Sequence, residues 1–238
     1  MPYRLLKFGL RSRHPEGRMF RSPPVLADSY DAVIIGGGGH GLAAAYYLAR
    51  DHGIHNVAVL EKGYIGGGGT GRNTAIVRSN YLTNEGARFY QASVELFEGL
   101  SSELDFNLFY TRRGHFTLAH SPASLRTQRW RAEVNKTLGI DSEVVGPEFI
   151  QKQVPEMDLS CGGHQAPVHG ALFHPPGAIA RHDAVAWAYA RGADRQGVEI
   201  HQQTEVRGIE VRDDEVIGVH TDRGFIQTGK VLSAVAGW

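Results

Sequence analysis

The 238-residue chain contains one cysteine, shows no excess of charge of either sign, and has no apolar run as long as a membrane span. A single cysteine, Cys161, excludes an internal disulfide and favours a reducing compartment. A membrane-spanning helix needs roughly 18 consecutive apolar residues. The formal net charge is +0, so no global attraction favours nucleic acid or a membrane surface. These absences predict a cytoplasmic protein with neither a nucleic-acid nor a membrane partner.

The sequence also lacks the residue spacings that metal sites and nucleophilic triads need. His164, His169 and His174 recur every five residues. None of them forms an H-x-x-x-H or C-x-x-C pattern together with a clustered carboxylate, which a metal site would need. No G-x-S-x-G turn is present, and Cys161 in SCGGHQ has no base or orienting partner beside it. We therefore expect no metal site and a passive thiol at Cys161.

Glycine is abundant instead, with 30 residues that concentrate in two clusters. The first cluster lies between a predicted strand, Tyr30–Ile35, and a predicted helix from His40 to about Arg50. A second predicted strand, Asn56–Lys62, completes a strand–helix–strand unit.

The first cluster has the spacing G-x-G-x-x-G at Gly36, Gly38 and Gly41. In a dinucleotide site the first glycine allows the tight turn, the second lets the backbone approach the pyrophosphate, and the third packs helix on strand. The helix N-terminus adds positive potential. The acid that binds the ribose is expected about 20 residues further on, and Glu61 stands 20 residues beyond Gly41. This combination predicts a dinucleotide site.

The second cluster, Gly66–Gly71, favours FAD over NAD as the dinucleotide. A second glycine-rich loop suits a longer ligand whose ribityl chain and ring need close backbone contact. The terminal segment KVLSAVAGW, interpreted as a strand that ends in Gly237, suits flavoproteins whose chain returns to the nucleotide site after an insertion. An NAD-dependent dehydrogenase stays an alternative at this point.

Helices and strands mix along the rest of the chain, which predicts the α/β class: a Rossmann-like FAD-binding domain with an inserted, incomplete α+β substrate domain. We predict helices over 84–100, 122–138 and Asp183–Gln196, the last with Asp183 as N-cap. Short strands are predicted in HFTLA, VEIHQ, EVRGIEV, EVIGVHT and FIQT. The expected domains are a basic arm at 1–29, an FAD-binding domain at 30–112 and 177–238, and part of a substrate domain at 113–176.

The first 24 residues carry six basic side chains against a single acid, Glu16. The basic residues are Arg4, Lys7, Arg11, Arg13, Arg18 and Arg21. Lys7 interrupts the only segment apolar enough for the centre of a signal peptide. The segment is therefore a basic arm that lies on another subunit or in solvent, or a targeting peptide of the Arg-rich, acid-poor kind.

The sequence resembles the D-amino-acid-oxidase-like flavoproteins, and among them the beta subunits of heterotetrameric sarcosine oxidases. The resemblance is carried by IIGGGGHGLAAAYYLA and the chain that follows it to Leu82, by RRGHFTLAH, and by PPGAIARHDAVAWAYARGAD. It covers the chain from about residue 30 to the end. It implies non-covalent FAD that accepts hydride from the N-methyl amine sarcosine. It further implies covalent FMN that passes the electrons to O2, giving H2O2, and association with other subunits.

The resemblance also carries roles onto individual residues. His182 in RHDAVAW matches the histidine that holds FMN, although from its surroundings in the sequence alone it would be a solvent-facing histidine beside an N-cap. Arg78 stands where related amine oxidases keep an arginine close to flavin and substrate, and we assign it a catalytic role. The FAD contacts implied are Gly36, Gly38, Gly39, His40, Gly41, Glu61, Lys62, Gly69, Thr70, Arg72, Asn73, Thr74, Val206 and Gly237.

Two expectations concern the extent of the chain and its activity. The resembling subunits continue well past Trp238, so we expect an N-terminal fragment or truncated product that turns over nothing alone. The alternatives to a sarcosine-oxidising subunit are a related FAD-dependent amine or amino-acid dehydrogenase without the second flavin, and an inactive flavin-binding fragment.

Overall fold

A computed structural model of the chain describes residues 6, 9, 10, 19–160 and 167–237. Two residues discussed above lie outside the described residues: Cys161, which we expect to be a passive thiol, and His164, which we expect not to bind a metal. The backbone divides into two compact units. The first unit takes the chain up to Ile65 and again from Tyr189 to Gly237, and the second takes Gly66–Ala188.

The structure contains five helices and thirteen strands within the described residues. The helices are α1 (Gly39–His52), α2 (Asn84–Glu103), α3 (Pro122–Thr137), α4 (Pro147–Gln153) and α5 (His182–Arg195). The strands are β1 (Ala32–Ile35), β2 (Val57–Leu60), β3 (Ile76–Val77), β4 (Thr111–Arg112), β5 (His115–Ala119), β6 (Glu143–Val145), β7 (Gly170–His174), β8 (Ala178–Ile179), β9 (Glu199–His201), β10 (Val206–Arg212), β11 (Glu215–Thr221), β12 (Gly224–Gln227) and β13 (Val231–Ser233).

The first unit is organised around a four-stranded parallel sheet with the order β13-β1-β2-β9. Its two central strands read AVII and VAVL and are buried along almost their whole length. Continuous apolar runs of this kind are typical of parallel strands covered on both faces. Because parallel strands end at the same edge, the loops after β1 and β2 meet there.

A second, antiparallel sheet of β10, β11 and β12 packs within the same unit. Val219 and Ile226 from this sheet join Val33 of β1 and Leu60 of β2 in one buried cluster. Val206, at the start of β10, packs against that cluster from a half-buried position. The core therefore connects the two sheets through side chains far apart in the sequence.

The second unit contains two small antiparallel sheets, β3-β8-β4 and β5-β7-β6. Its buried apolar cluster includes Val145, Ile150 and Ala171. Hydroxyl caps start both long helices: the side chain of Thr83 accepts from the N–H of Gly86 before α2, and Ser121 caps α3 in the same way.

Most predicted elements agree with the observed ones to within a few residues, and two differ in a way that matters. The last strand ends at Ser233, because its neighbour β1 ends opposite it at Ile35. Gly237 therefore lies outside the sheet. Helix α5 begins at His182, so Asp183 lies in the first turn and not at the N-cap. Its carboxylate accepts from the adjacent N–H of Ala184, at 2.8 Å.

The domain limits predicted from the sequence, 1–29, 30–112 with 177–238, and 113–176, stay a prediction. The two units are delimited by the compactness of the backbone and not by what each binds. Part of the predicted basic arm is described: Arg21 donates from Nε to the Asp194 carboxylate at 2.9 Å and from its backbone N–H at 3.1 Å. Over the described ranges, no helix is both long enough and apolar enough to cross a membrane.

Candidate functional site

The loop after β1 is held in a shape that only glycine can adopt. Gly36 has a φ of +109° and donates its N–H to the carbonyl of Leu60 at 2.8 Å. A Cβ on Gly36 would lie 2.9 Å from the carbonyl oxygen of Ala234, just after β13. Side chains are thus excluded both by the dihedral angle and by the neighbouring strand.

Gly41 brings the first turn of α1 directly onto this loop. A Cβ at Gly41 would lie 2.0 Å from the carbonyl oxygen of Gly36, a separation that real Cβ atoms do not show. Gly38 is the N-cap, in extended conformation and without a side-chain hydrogen bond, and the first turn contains no acidic residue. The positive end of the helix dipole is therefore suited to an anion such as a pyrophosphate.

Glu61, directly after β2, lies beside the same loop. Its carboxylate accepts from the N–H of Gly37 and from the N–H of Gly63, both at 2.8 Å. Its own N–H donates to the carbonyl of His201 at 2.9 Å, and its carbonyl accepts from Thr204 at 2.9 Å. The side chain is consequently fixed at the carboxyl edge of the sheet, where the G-x-G-x-x-G pattern expects the acid that binds a ribose.

The structure adds two residues to this part of the site that the sequence pattern does not single out. Gly37 occupies an unspecified position of the pattern, yet a Cβ there would lie 2.9 Å from the Cβ of Glu61. Ala234 packs against the first and the last glycine of the pattern, with its carbonyl at Gly36 and its Cβ 3.3 Å from the Cβ position of Gly41. The sequence signal for Gly37 was the unbroken run of four glycines at 36–39, whereas Ala234 has no such signal, since only the pairing of β13 with β1 brings it there.

The other predicted FAD contacts of the first unit lie in less constrained surroundings. His40, in the first turn of α1, and Lys62 are exposed. His40 and Lys62 therefore face solvent, whereas Gly37 and Glu61 contact each other directly. Gly237 is also exposed, and a Cβ there would meet nothing within 4 Å.

In the second unit, the second glycine cluster repeats a feature of the first. A Cβ at Gly71 would lie 2.6 Å from the carbonyl oxygen of Gly66, five residues earlier. Gly41 and Gly36 stand in the same five-residue relation. Gly66 itself has a φ of +72°. Both loops therefore fold back on their own backbone and need glycine at the contact.

The polar side chains of this second loop bind the loop itself. Arg72 donates to the carbonyl of Gly67. Asn73 donates from Nδ2 to the carbonyl of Thr70 at 2.5 Å and accepts from the N–H of Ala75 at 2.6 Å. Arg72 and Asn73 therefore hold the short 3₁₀ turn at Gly69–Arg72 in place. Thr74, the next residue, is exposed.

Arg78, directly after β3, contacts only neutral groups among the described residues. Its Nη1 donates to Oδ1 of Asn80 at 2.8 Å, and its guanidinium carbon lies 4.5 Å from the centre of the Tyr81 ring. Tyr81 in turn stacks on Tyr90 of α2, with ring centres 3.9 Å apart. An arginine oriented in this way keeps its positive charge available to an anionic ligand.

His174, one of the three evenly spaced histidines, has both ring nitrogens occupied. Its Nδ1 donates to the carbonyl of Asp141 at 2.6 Å, and Nε2 lies 3.3 Å from the N–H and from the hydroxyl of Ser79. Burial lowers the pKa of His174 below its ordinary value, which favours the neutral ring. Within the part of the chain that the structure describes, no group of three or more His, Cys, Asp and Glu side chains could hold a metal ion.

His182 is the first residue of α5 and is half-buried. Its Nδ1 is buried without a hydrogen-bond partner. Arg181 donates from Nε to the Asp183 carboxylate at 3.0 Å, so the charges on either side of His182 neutralise each other. This ion pair lowers the pKa of Asp183 and keeps that carboxylate ionised.

Comparison with known protein families agrees with this glycine loop and its acid. Residues 31–238 match the family of FAD-dependent oxidoreductases known as DAO. The chain belongs to this family. The prediction of FAD as the dinucleotide is thereby confirmed, and so is the predicted α/β fold of the amino-acid-oxidase type.

Among the relatives of this family are two beta subunits of sarcosine oxidase. That from Arthrobacter sp. is 47% identical over 228 residues, which cover 96% of this chain and 56% of the relative. That from Rhizobium meliloti is 45% identical over 233 residues, with coverages of 98% and 55%. The chain therefore spans just over half the length of these relatives.

A solved structure of the same fold is L-proline dehydrogenase from P. horikoshii. It superposes with a TM-score of 0.81 at 30% identity, and the match covers 90% of this chain and 54% of that one. The similarity to sarcosine oxidase beta subunits agrees with the resemblance seen in the sequence. The roles of individual site residues and of FMN stay predictions.

Proposed function

We propose that this chain is the FAD-binding part of a flavoprotein that oxidises an N-methyl amine, with sarcosine as the substrate. The observation that carries the proposal is the loop after β1, closed by Gly41 and joined to Glu61 through the N–H of Gly37. Similarity to two sarcosine oxidase beta subunits supports the choice of substrate.

In this proposal the first unit binds the two phosphates and the ribose of FAD. The start of α1, with Gly38 and Gly41, faces the pyrophosphate, for which a helix N-terminus without a side-chain cap or acidic side chains is suited. The Glu61 carboxylate already accepts two amide hydrogens. Because an ionised carboxylate has about four acceptor positions, it can also accept from the ribose hydroxyls. Val206 and Gly237 complete the contacts proposed here.

The second unit contributes the groups that we assign to the flavin and the substrate. Gly69, Thr70, Arg72, Asn73 and Thr74 are assigned to FAD through the resemblance. Arg78 binds the carboxylate of sarcosine, since its guanidinium is oriented by Asn80 and paired with no acid among the described residues. The bound FAD supplies the chemistry, which is acceptance of a hydride from the carbon next to the amine nitrogen.

His182 is the proposed attachment point of a second flavin, FMN. Its buried, unpartnered Nδ1 shows that the ring is not held by a protein acceptor on that side. The position at the start of α5 fits a phosphate-bearing ligand, provided the charge of Asp183 in the first turn is neutralised. Arg181 does so. Together with O2 as electron acceptor, H2O2 as product and other subunits as partners, this completes the sarcosine oxidase proposal.

A second function is favoured by the similarity to L-proline dehydrogenase, at a TM-score of 0.81 and 30% identity. In that case the chain belongs to an FAD-dependent amine or amino-acid dehydrogenase that has no second flavin. The two functions differ in whether His182 carries FMN and in whether O2 accepts the electrons.

The proposal is tested by the absorbance and the flavin content of the purified protein. We expect a flavin spectrum, a fluorescent band on denaturing electrophoresis, and loss of that band in His182→Ala. The exposed His120→Ala is the control and should keep it. Release of all flavin on denaturation, with no H2O2 formed from sarcosine, would favour the dehydrogenase. A preparation reconstituted with FAD that shows no flavin absorbance would refute both functions.

A further inference from the structure

A second arginine lies close to Arg78 in the second unit, and Asn80 connects the two. Arg78 donates to the side-chain oxygen of Asn80 at 2.8 Å, and Arg131 of α3 donates from Nη2 to its backbone carbonyl at 3.4 Å. Arg131 also donates from Nη1 to Gln128 at 3.4 Å. Asn80 is fully buried. Each guanidinium group has five N–H donors. Within the described residues, Arg78 makes one hydrogen bond, and Arg131 makes two long ones.

Several polar atoms in this cluster have no hydrogen-bond partner although they are buried. They are Nε of Arg131, Nδ2 of Asn80 and Nδ1 of His115. Two of the three are obligatory donors. Since a buried donor without a partner is unfavourable, such groups cluster where a ligand or ordered water completes the set.

The charged side chains of this cluster are both cationic, and neither has a counter-ion among the described residues. Neither arginine forms an ion pair with a carboxylate anywhere in the described ranges, and the partners named above are all neutral. Burial, followed by the nearby Arg78, lowers the pKa of Arg131. Burial, followed by the charge of Arg78, lowers the pKa of His115 to about 4. Two partly buried cations without a counter-ion are unfavourable unless an anion binds between them.

We propose that Arg131 and Asn80, together with Arg78, form a two-arginine site for a carboxylate ligand. One carboxylate oxygen accepts from each guanidinium, and the free Nδ2 of Asn80 donates to the same group. A carboxylate offers two oxygens and about four lone pairs in the geometry that guanidinium groups match. The further step, that this carboxylate is that of the amine substrate, rests on the proposed function. Arg131 then contacts substrate, and Asn80 positions both arginines.

The site is tested by titrating acetate into the 238-residue chain by calorimetry, in buffer free of other carboxylates. Arg131→Gln should weaken acetate binding about tenfold or more, since it removes a charge-assisted hydrogen bond worth about 1.5–3 kcal/mol. Arg129→Gln, on the same helix but exposed, is the matched control and should bind like the wild type. Asn80→Asp keeps both arginines and gives them an internal carboxylate, so it should abolish acetate binding while the protein stays folded by circular dichroism.

The outcomes separate this site from the proposed function. Wild-type protein that binds no acetate, or variants at Arg131 and Asn80 that are folded and bind it unchanged, would overturn the site. Displacement of acetate by sarcosine, and not by dimethylamine, which lacks the carboxylate, would support the site and its substrate together. Acetate binding that depends on Arg131 but is unaffected by sarcosine would support the site and refute sarcosine as its ligand.

Discussion

Replacing Gly41 with alanine puts a methyl group where the fold has no room for it. The new Cβ would lie 2.0 Å from the carbonyl oxygen of Gly36, whereas real Cβ atoms stay beyond 3.0 Å. One side must therefore move by at least about 1 Å. The obstacle is a backbone atom whose residue is tied to β2 by the hydrogen bond from Gly36 to Leu60. The helix start is therefore displaced more readily than the loop.

The expected size follows from two opposing effects. Alanine in place of glycine inside a helix stabilises by about 0.5–1 kcal/mol. Overpacking against a fixed neighbour costs about 1–3 kcal/mol. We therefore expect Gly41→Ala to lower the free energy of unfolding by about 1–2 kcal/mol, which for a chain of this length lowers Tm by about 2–8 °C.

Gly99→Ala provides a control with the opposite sign. Gly99 lies in helix α2, and a Cβ there would meet nothing within 4 Å. This variant should be about 0.5–1 kcal/mol more stable than the wild type. Thermal unfolding by circular dichroism and FAD titration by fluorescence quenching measure both variants. Gly41→Ala should bind FAD at least about tenfold more weakly, because the displaced amides lose charge-assisted hydrogen bonds. A Gly41→Ala protein that melts like Gly99→Ala and binds FAD like the wild type would refute the close approach.

Three further predictions follow from the same structure. Glu61→Gln should lower the free energy of unfolding, measured by urea denaturation, by about 1–2 kcal/mol, because an amide oxygen replaces a charged acceptor of two backbone N–H groups. It should also weaken FAD binding, and an unchanged FAD affinity would contradict the ribose assignment. Gly71→Ala should lower FAD affinity with little change in Tm, since its clash with the carbonyl of Gly66 lies in a mostly exposed loop; Gly69→Ala, where a Cβ meets nothing, is the control. The wild type should lose stability as pH falls from 6.5 to about 4, because the folded-state pKa of His115 is lowered to about 4 and the unfolded chain binds the proton more readily. The full shift corresponds to about 3 kcal/mol, and to about 1–2 kcal/mol once solvent screening is allowed for; His115→Gln should reduce this pH dependence in urea titrations, and an identical pH dependence in the two proteins would contradict the assignment.

The nucleotide end of the site could be predicted from the sequence because it depends on local spacing. Gly36, Gly38 and Gly41 lie on one turn, and their number and order already determine how the backbone bends. Glu61 follows the next strand of the same strand–helix–strand unit, so its distance along the chain was enough to place it. The family match confirmed FAD, which the second glycine cluster had favoured over NAD.

The arrangement around the arginines could not be predicted, because it depends on segments that meet only after folding. Asn80 and Arg131 are 51 residues apart and belong to a strand end and a helix that carry no shared motif. His115 joins them from β5. In sequence, Arg131 reads as one of several basic residues on a polar helix, and only its burial distinguishes it from Arg129.

The sequence by itself determined the fold class, the turn that binds a dinucleotide and the acid beside it, since each follows from residue type and short-range spacing. The tertiary structure alone decided which other groups approach them. Ala234 contacts the first glycine loop because β13 pairs with β1 across almost two hundred residues of chain. The two arginines share Asn80 because α3 packs in the same unit as the end of β3. Long-range packing decides which polar atoms are buried and which are left without partners. A local pattern of residues cannot predict either.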